Sequence, residues 1–238
     1  MAMNRIIVIT SGKGGVGKTT CTANLGMALA KAGKRVVVID ADFGLRNLDL
    51  LLGLENRIVY TALDVLAGEC RLDQALVKDK RQPNLALLPA AQNRSKESIT
   101  PEQMKKLVRA LTKAYNFVLI DSPAGIEMGF RNAIAAAREA IIVTTPEISA
   151  VRDADRVIGL LEANDIKAMR LIINRLKPSM VEAEQMMSVK DVQDILAVPL
   201  LGVIPDDEQV VVSTNNGEPL ILSKDLSKAG TAVSIIAR

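Results

Sequence analysis

The chain has 238 residues, 49% of them hydrophobic, and a formal net charge of +3. That length and apolar content suit a single α/β domain over residues 1–238, with a sizeable core. Histidine and tryptophan are missing and aromatics make up 2%, which excludes a histidine triad or zinc–histidine site and argues against a stacking platform for single-stranded nucleic acid; the weak positive charge is too small to point to DNA.

Residues 6–9 (IIVI) read as a buried strand, and a helical segment follows from about 18 to 32. Between them, SGKGGVGKTT at 11–20 fits G-x-x-x-x-G-K-[ST], with Gly12, Gly17, Lys18 and Thr19 at the fixed positions. Gly12, Gly14, Gly15 and Gly17 let successive backbone N–H groups, that of Val16 among them, turn toward one anion. The helix N-terminus at Thr19 and Thr20 adds its positive end. Lys18 would reach the β- and γ-phosphates, and the Thr19 hydroxyl would ligate Mg²⁺, which prefers oxygen ligands in octahedral array. A glycine-rich turn that binds nothing is the alternative. A second lysine, Lys13, is not required by such a loop. It is either a solvated surface lysine or a group that reaches across to another subunit's phosphates, as an arginine finger does.

GKGGVGKT resembles the deviant Walker A loop of the MinD/ParA family of ATPases, in which this lysine contacts nucleotide across a dimer. Gly33 is the expected cap of the first helix. Residues 36–39 form a second buried strand ending in Asp40-Ala41-Asp42, at the sheet edge where open parallel sheets bind ligands. Asp40 is placed to organise the Mg²⁺ shell and Asp42 to orient an attacking water; two loop-capping aspartates are the alternative. Residues 43–49 read as a first switch loop, and VIDADFGLRNLDLLLG is similar to the MinD branch of the family. Short helices follow at 62–67, ending at Gly68, and at 72–76. A strand is expected at 84–89, and a helix starts at Thr100-Pro101-Glu102-Gln103 and runs to about 113.

Residues 117–121 (FVLID) have a Walker B shape, so Asp121 would hold Mg²⁺ through water. Gly125 would follow the γ-phosphate through its N–H, as second switches do. DSPAGIE is again similar to the MinD branch. Strands are expected at 140–144, at 169–173 before Asn174-Arg175, and at 200–204 before Pro205-Asp206-Asp207. Between them lie a helix from about 151 to 163 and a short one from 188. Residues 209–214 read as helix, and 226–238 begin an amphipathic helix with Leu226, Ala229, Val233 and Ile236 on one face. Cys21 and Cys70 have no metal-site spacing and read as reduced thiols. No apolar run approaches the roughly 20 residues of a membrane span, and the first strand starts too early to leave room for a leader.

The resulting fold class is α/β: a doubly wound, mostly parallel sheet flanked by helices. The resemblance implies a phosphate-loop ATPase that takes ATP and Mg²⁺, dimerises on ATP with each Lys13 completing the other site, and reads adenine with Asn174 and the Pro205–Asp206 loop. A turn asparagine is the alternative for Asn174. It also implies a switch in bacterial division-site placement that recruits MinC to the membrane and is released by MinE-stimulated hydrolysis. The helix at 151–163 would carry the docking surface, with Arg152, Asp153 and Gly159 as candidates; an ordinary amphipathic helix is the other reading. Relatives continue into a basic amphipathic helix that binds anionic membrane, which this sequence lacks; the resemblance thus implies a cytoplasmic protein, peripheral on the membrane in its ATP state. Other readings are a ParA-type partition ATPase on nonspecific DNA, a flagellar-number regulator, a relative of the nitrogenase iron protein, and a scaffold without turnover. Cys21 and Cys70 do not suit the cluster that the iron-protein reading needs, and Lys13 and Asp42 argue against the scaffold.

Overall fold

A computed structural model describes residues 4–42, 47–91 and 99–238. The chain enters on β1 (Arg5–Thr10), whose residues alternate between two apolar layers. Ile6 and Val8 join one, Ile7 and Ile9 the other. β2 (Val36–Asp40) and β5 (Phe117–Asp121) repeat this alternation, so each strand is apolar on both faces and the runs read as continuous hydrophobic stretches. With β3 (Val77–Lys78), β4 (Leu85–Leu88), β6 (Glu139–Thr144), β7 (Ala168–Leu176) and β8 (Leu200–Pro205) they form an eight-stranded sheet in the order β3-β4-β2-β5-β1-β6-β7-β8. All its pairings are parallel except β3 with β4. The strand order reverses around β1, between β5 and β6, which places a crevice at their carboxyl ends.

Helix α1 (Lys18–Lys31) packs in the layer that also holds α2 (Leu48–Leu52) and α11 (Lys228–Ile236). It ends in a Schellman motif. Gly33, at φ 80°, donates to Ala30 O, and Lys34 donates to Leu29 O. The opposite layer holds α3 (Ala62–Ala67), α5 (Pro101–Leu111), α6 (Met128–Ile134), α7 (Ile148–Ala163) and α9 (Val189–Leu196). Short helices α4 (Leu72–Ala75), α8 (Pro178–Glu182) and α10 (Gln209–Asn215) complete the set. The capping box expected at Thr100 is present, with Thr100 Oγ1 accepting from Gln103 N and the Gln103 side chain from Thr100 N.

Several elements depart from the sequence expectation. α7 starts at Ile148, not near 151. β7 runs through Asn174 and Arg175 to Leu176, so Asn174 is a strand residue and not a turn asparagine. Leu226 lies outside α11, whose N-cap is Ser227. α2, α6, α8 and β3 have no counterpart in the sequence reading. Residues 43–46 of the expected first switch loop lie outside the described residues. Among the described residues, no helix is long and apolar enough to cross a membrane.

Candidate functional site

The loop between β1 and α1 closes on Gly17, the α1 N-cap, at φ 94°. Gly17 makes no side-chain cap and the first turn of α1 carries no acidic residue. The first N–H groups of the helix thus have no capping side chain from Gly17, an arrangement that suits an anion. Two glycines are forced by close approach. A Cβ on Gly12 would sit 2.2 Å from the backbone of Asp153 on α7, and one on Gly17 would meet Asn174 Nδ2 at 2.2 Å. The loop is thus wedged between α7 and the end of β7. Asn174 reinforces the second contact by donating from Nδ2 to Val16 O at 2.8 Å. Its reach comes with a register shift between Asn174 and Leu176, where Arg175 adopts φ 58°.

Lys18 is buried. Its Nζ lies 3.0 Å from Asp121 Oδ1 and 3.3 Å from Thr19 Oγ1. Thr22, one turn along α1, donates to the same Asp121 oxygen at 2.9 Å. Asp121 stands beside Asp40 in the register of β5 and β2, and each is 1% exposed. Burial first, and the Asp121 carboxylate second, push the Asp40 carboxyl up to about 7. Asp40 accepts from Asp42 N through Oδ1 at 3.0 Å, and from Asn47 N and Leu48 N through Oδ2 at 3.2 and 3.3 Å. It therefore fixes the backbone of Asp42 and the start of α2 through one buried carboxyl. Two adjacent buried carboxylates with a threonine hydroxyl nearby form a donor set for a hard cation such as Mg²⁺, and a cation there would relieve the repulsion that raises Asp40.

Lys13 is turned to a different place. Its Nζ donates to Ser149 Oγ at 3.0 Å and lies 3.5 Å from Glu147 Oε2, at the start of α7, with 42% of the side chain exposed. Gly125 has φ 87° and donates its N–H to Ser11 O at 3.2 Å. The segment after β5 is thereby stitched to the phosphate loop, and Gly125 must release that carbonyl to reach a phosphate.

Beyond Gly17, a cavity of about 310 Å³ opens between α1, the ends of β7 and β8, α10 and α11. It is lined by Asn174, Pro205 and Asp206, the residues expected from the resemblance to read adenine. Thr20, Cys21, Asn24, Arg175, Val210 and Val233, among others, complete the wall. Thr20 and Asn24, like Lys18 and Thr22, are four residues apart on α1. That helical spacing is the signal by which Thr22 and Asn24 were findable; the α10 and α11 residues come from distant segments and carried no such mark. The buried Cys21 thiol is pushed up to about 12, by burial first, then by Asp121. Of the candidate docking residues, Arg152 and Gly159 are exposed. Asp153 is half-buried, 3.7 Å from Arg156, with its backbone against Gly12.

Residues 7–220 match the CobQ/CobB/MinD/ParA nucleotide-binding domain. The septum site-determining protein MinD of Synechocystis is 69% identical over 236 residues, 99% of this chain and 89% of that protein. MinD in the MinC:MinD cell division complex of Aquifex aeolicus superposes with a TM-score of 0.91 at 52% identity, covering 98% of this chain and 94% of the other. The septum site-determining MinD of Pyrococcus horikoshii, solved with Mg-ADP, superposes at 0.88 and 37% identity, over 99% and 95%.

Proposed function

The chain belongs to the CobQ/CobB/MinD/ParA nucleotide-binding family, in its MinD branch, and we propose that it is an ATP-driven dimerising switch that places the division site. The observation that carries this reading is the position of Lys13. Lys18 is buried at the phosphate loop, whereas Lys13 is half-exposed and, among the described residues, is held by Ser149 and Glu147. An exposed ion pair of this kind is worth about 0–1 kcal/mol, so a second subunit's phosphates outbid it at little cost.

ATP binds with its phosphates at the loop N–H groups and Lys18, and its adenine in the cavity beside Asn174, Pro205 and Asp206. Thr19, Asp121 and Asp40 would hold Mg²⁺, which would supply charge neutralisation for the phosphates. Asp42, fixed through its own N–H to Asp40, orients the attacking water. Lys13 of a second copy of the chain neutralises the charge that develops on the transferred phosphoryl group. The 238 residues act as one domain. The dimer recruits MinC, as the complex of the Aquifex relative supports, and MinE accelerates hydrolysis and release. The starting face of α7 serves as the docking surface, and the membrane contact comes from an anionic-lipid anchor beyond this stretch.

A ParA-type partition role on DNA is disfavoured by the 69% identity to a septum-site protein. The test uses Asp42→Ala, which should hold ATP uncleaved. Light scattering is expected to give a dimer with ATP and a monomer with ADP, and immobilised MinC to retain the protein only with ATP. A monomer in both nucleotides, or MinC retention independent of nucleotide, refutes the proposal.

A further inference from the structure

Lys18 Nζ touches two groups at once, Thr19 Oγ1 at 3.3 Å and Asp121 Oδ1 at 3.0 Å. Both belong to the donor set that suits Mg²⁺, so the ammonium lies between two groups that a cation would use. When Lys18 turns to a phosphate, Asp121 loses that partner. Thr22 is the other side chain that donates to the same oxygen. Its hydroxyl lies 2.9 Å from Asp121 Oδ1 and 3.1 Å from Lys18 O. A hydroxyl has one hydrogen to give. The carboxylate is both the nearer acceptor and the charged one, and a charged acceptor makes the stronger bond. Thr22 is therefore more than a threonine bonded back to its own helix, the usual arrangement in mid-helix. The contact is closed to bulk water, since Thr22 is 0% exposed and Asp121 1%. The two neighbouring carboxyls are also held differently. Asp40 accepts from the backbone N–H groups of Asp42, Asn47 and Leu48, whereas Asp121 accepts from two side chains of α1.

We infer that Thr22 is a positioning residue for the cation site: its hydroxyl holds Asp121 Oδ1 after Lys18 has moved to a phosphate, and so keeps the carboxylate in the orientation that Mg²⁺ needs. A group that orients a metal-holding carboxylate tunes metal affinity without touching the metal. Thr22 sits one helical turn beyond Lys18 on α1, so the helix that presents the lysine to the phosphates also presents the hydroxyl to Asp121. This rests on reading the loop as a nucleotide site that takes Mg²⁺.

The test measures binding of a fluorescent ADP analogue to the full chain as Mg²⁺ is titrated, and again in EDTA, for wild type, Thr22→Val and Thr22→Ser. Valine keeps the shape and removes the hydroxyl; serine keeps the hydroxyl and removes the methyl. Thr22→Val is expected to raise the Mg²⁺ concentration at half-effect by about tenfold or more, while its affinity in EDTA stays within about twofold of wild type. Thr22→Ser should need Mg²⁺ within about threefold of wild type. A threonine that only fills space would give the opposite order, because serine leaves a cavity and valine does not. Equal weakening in Mg²⁺ and in EDTA, serine as poor as valine, or a valine variant with wild-type Mg²⁺ dependence each overturns the inference. If Thr22→Val does not fold, Thr22→Ala is set against Thr22→Ser, which differs from it by the hydroxyl alone, and equal Mg²⁺ dependence of the two overturns it. Nucleotide binding by wild type that ignores Mg²⁺ would instead remove the reading of the loop as a cation site.

Discussion

Lys13 and Lys18 share one loop, yet their surroundings predict opposite consequences of removing them. Lys18→Met leaves the buried Asp121 carboxylate with Thr22 as its remaining donor on that oxygen. Breaking a buried pair from one side costs about 3 kcal/mol, so the urea midpoint of the nucleotide-free chain should fall markedly and nucleotide binding should be lost. Lys13→Ala removes a half-exposed contact and should change stability by no more than about 0.5 kcal/mol. A large loss at Lys13 in the same denaturation series would mean that its grip on α7 is structural and not a resting position. Asp40 makes a pH prediction at the same scale. Its carboxyl is raised to about 7 from an ordinary value near 3.8, so the folded chain holds this proton longer than the unfolded chain does. Stability from this group is therefore present at low pH and is lost as pH rises from about 4 to about 7. The midpoint without Mg²⁺ should be higher at pH 5 than at pH 8 by a margin that Asp40→Asn abolishes. Mg²⁺ should act in the other sense, because a cation favours the ionised form. A wild-type slope identical to that of Asp40→Asn would contradict the assignment.

At the scale of elements, Arg81 joins three segments that are far apart in sequence. Its guanidinium donates to Leu52 O at the end of α2 and to Gly217 O after α10, at 3.1 Å for the latter, and pairs with Asp79 Oδ2 at 2.7 Å. Burial alone would raise the Asp79 carboxyl. The Arg81 side chain and the Arg81 and Gln82 N–H groups outweigh it and hold Asp79 below its ordinary value. Arg81→Ala should destabilise the chain by about 2–3 kcal/mol in urea unfolding, and Arg81→Lys should recover little, because an ammonium cannot serve three acceptors from one planar fork. Full recovery by lysine would show that charge alone matters there. Nothing in the sequence marked this clasp, since its acceptors are backbone carbonyls. The strands were legible for the contrary reason: apolar runs buried on both faces leave a local trace. Helix α6 left none, because its N-cap Glu127 makes no side-chain cap and Gly129 sits in its first turn. α8 has no buried residue and β3 spans two residues, so neither has a period to read. α7 begins earlier than its pattern because Ile148 is 71% exposed and stands outside the buried stripe.

For the whole molecule, the candidate phosphate-side residues stood out because the loop has a fixed spacing and Asp40 and Asp121 end two neighbouring apolar strands. The wall of the cavity beyond Gly17 was only half readable, since it is assembled from α1, β7, β8, α10 and α11. What the sequence left unmarked is the face around Lys13. Ile148 is exposed next to Ser149, which holds Lys13, while Ile126 and Met128 are exposed after β5, beyond the Gly125 that bonds to the phosphate loop. Exposed apolar side chains beside a polar site are surface that a partner's face can cover. A face-to-face dimer that brings Lys13 across would cover them and would convert nucleotide occupancy into assembly. Ile148→Glu tests this at a distance from the nucleotide. It adds a negative charge beside Glu147, which a second copy of the same face would have to bury unpaired. ATP affinity of the monomer should stay within about twofold, since Ile148 is not among the residues that line the cavity beyond Gly17. ATP-dependent dimerisation of the Asp42→Ala background should be lost in light scattering, and MinC retention with it. Retained dimerisation with a glutamate at this position would place the contact between subunits on another face and leave Lys13 without a route to a partner's phosphates.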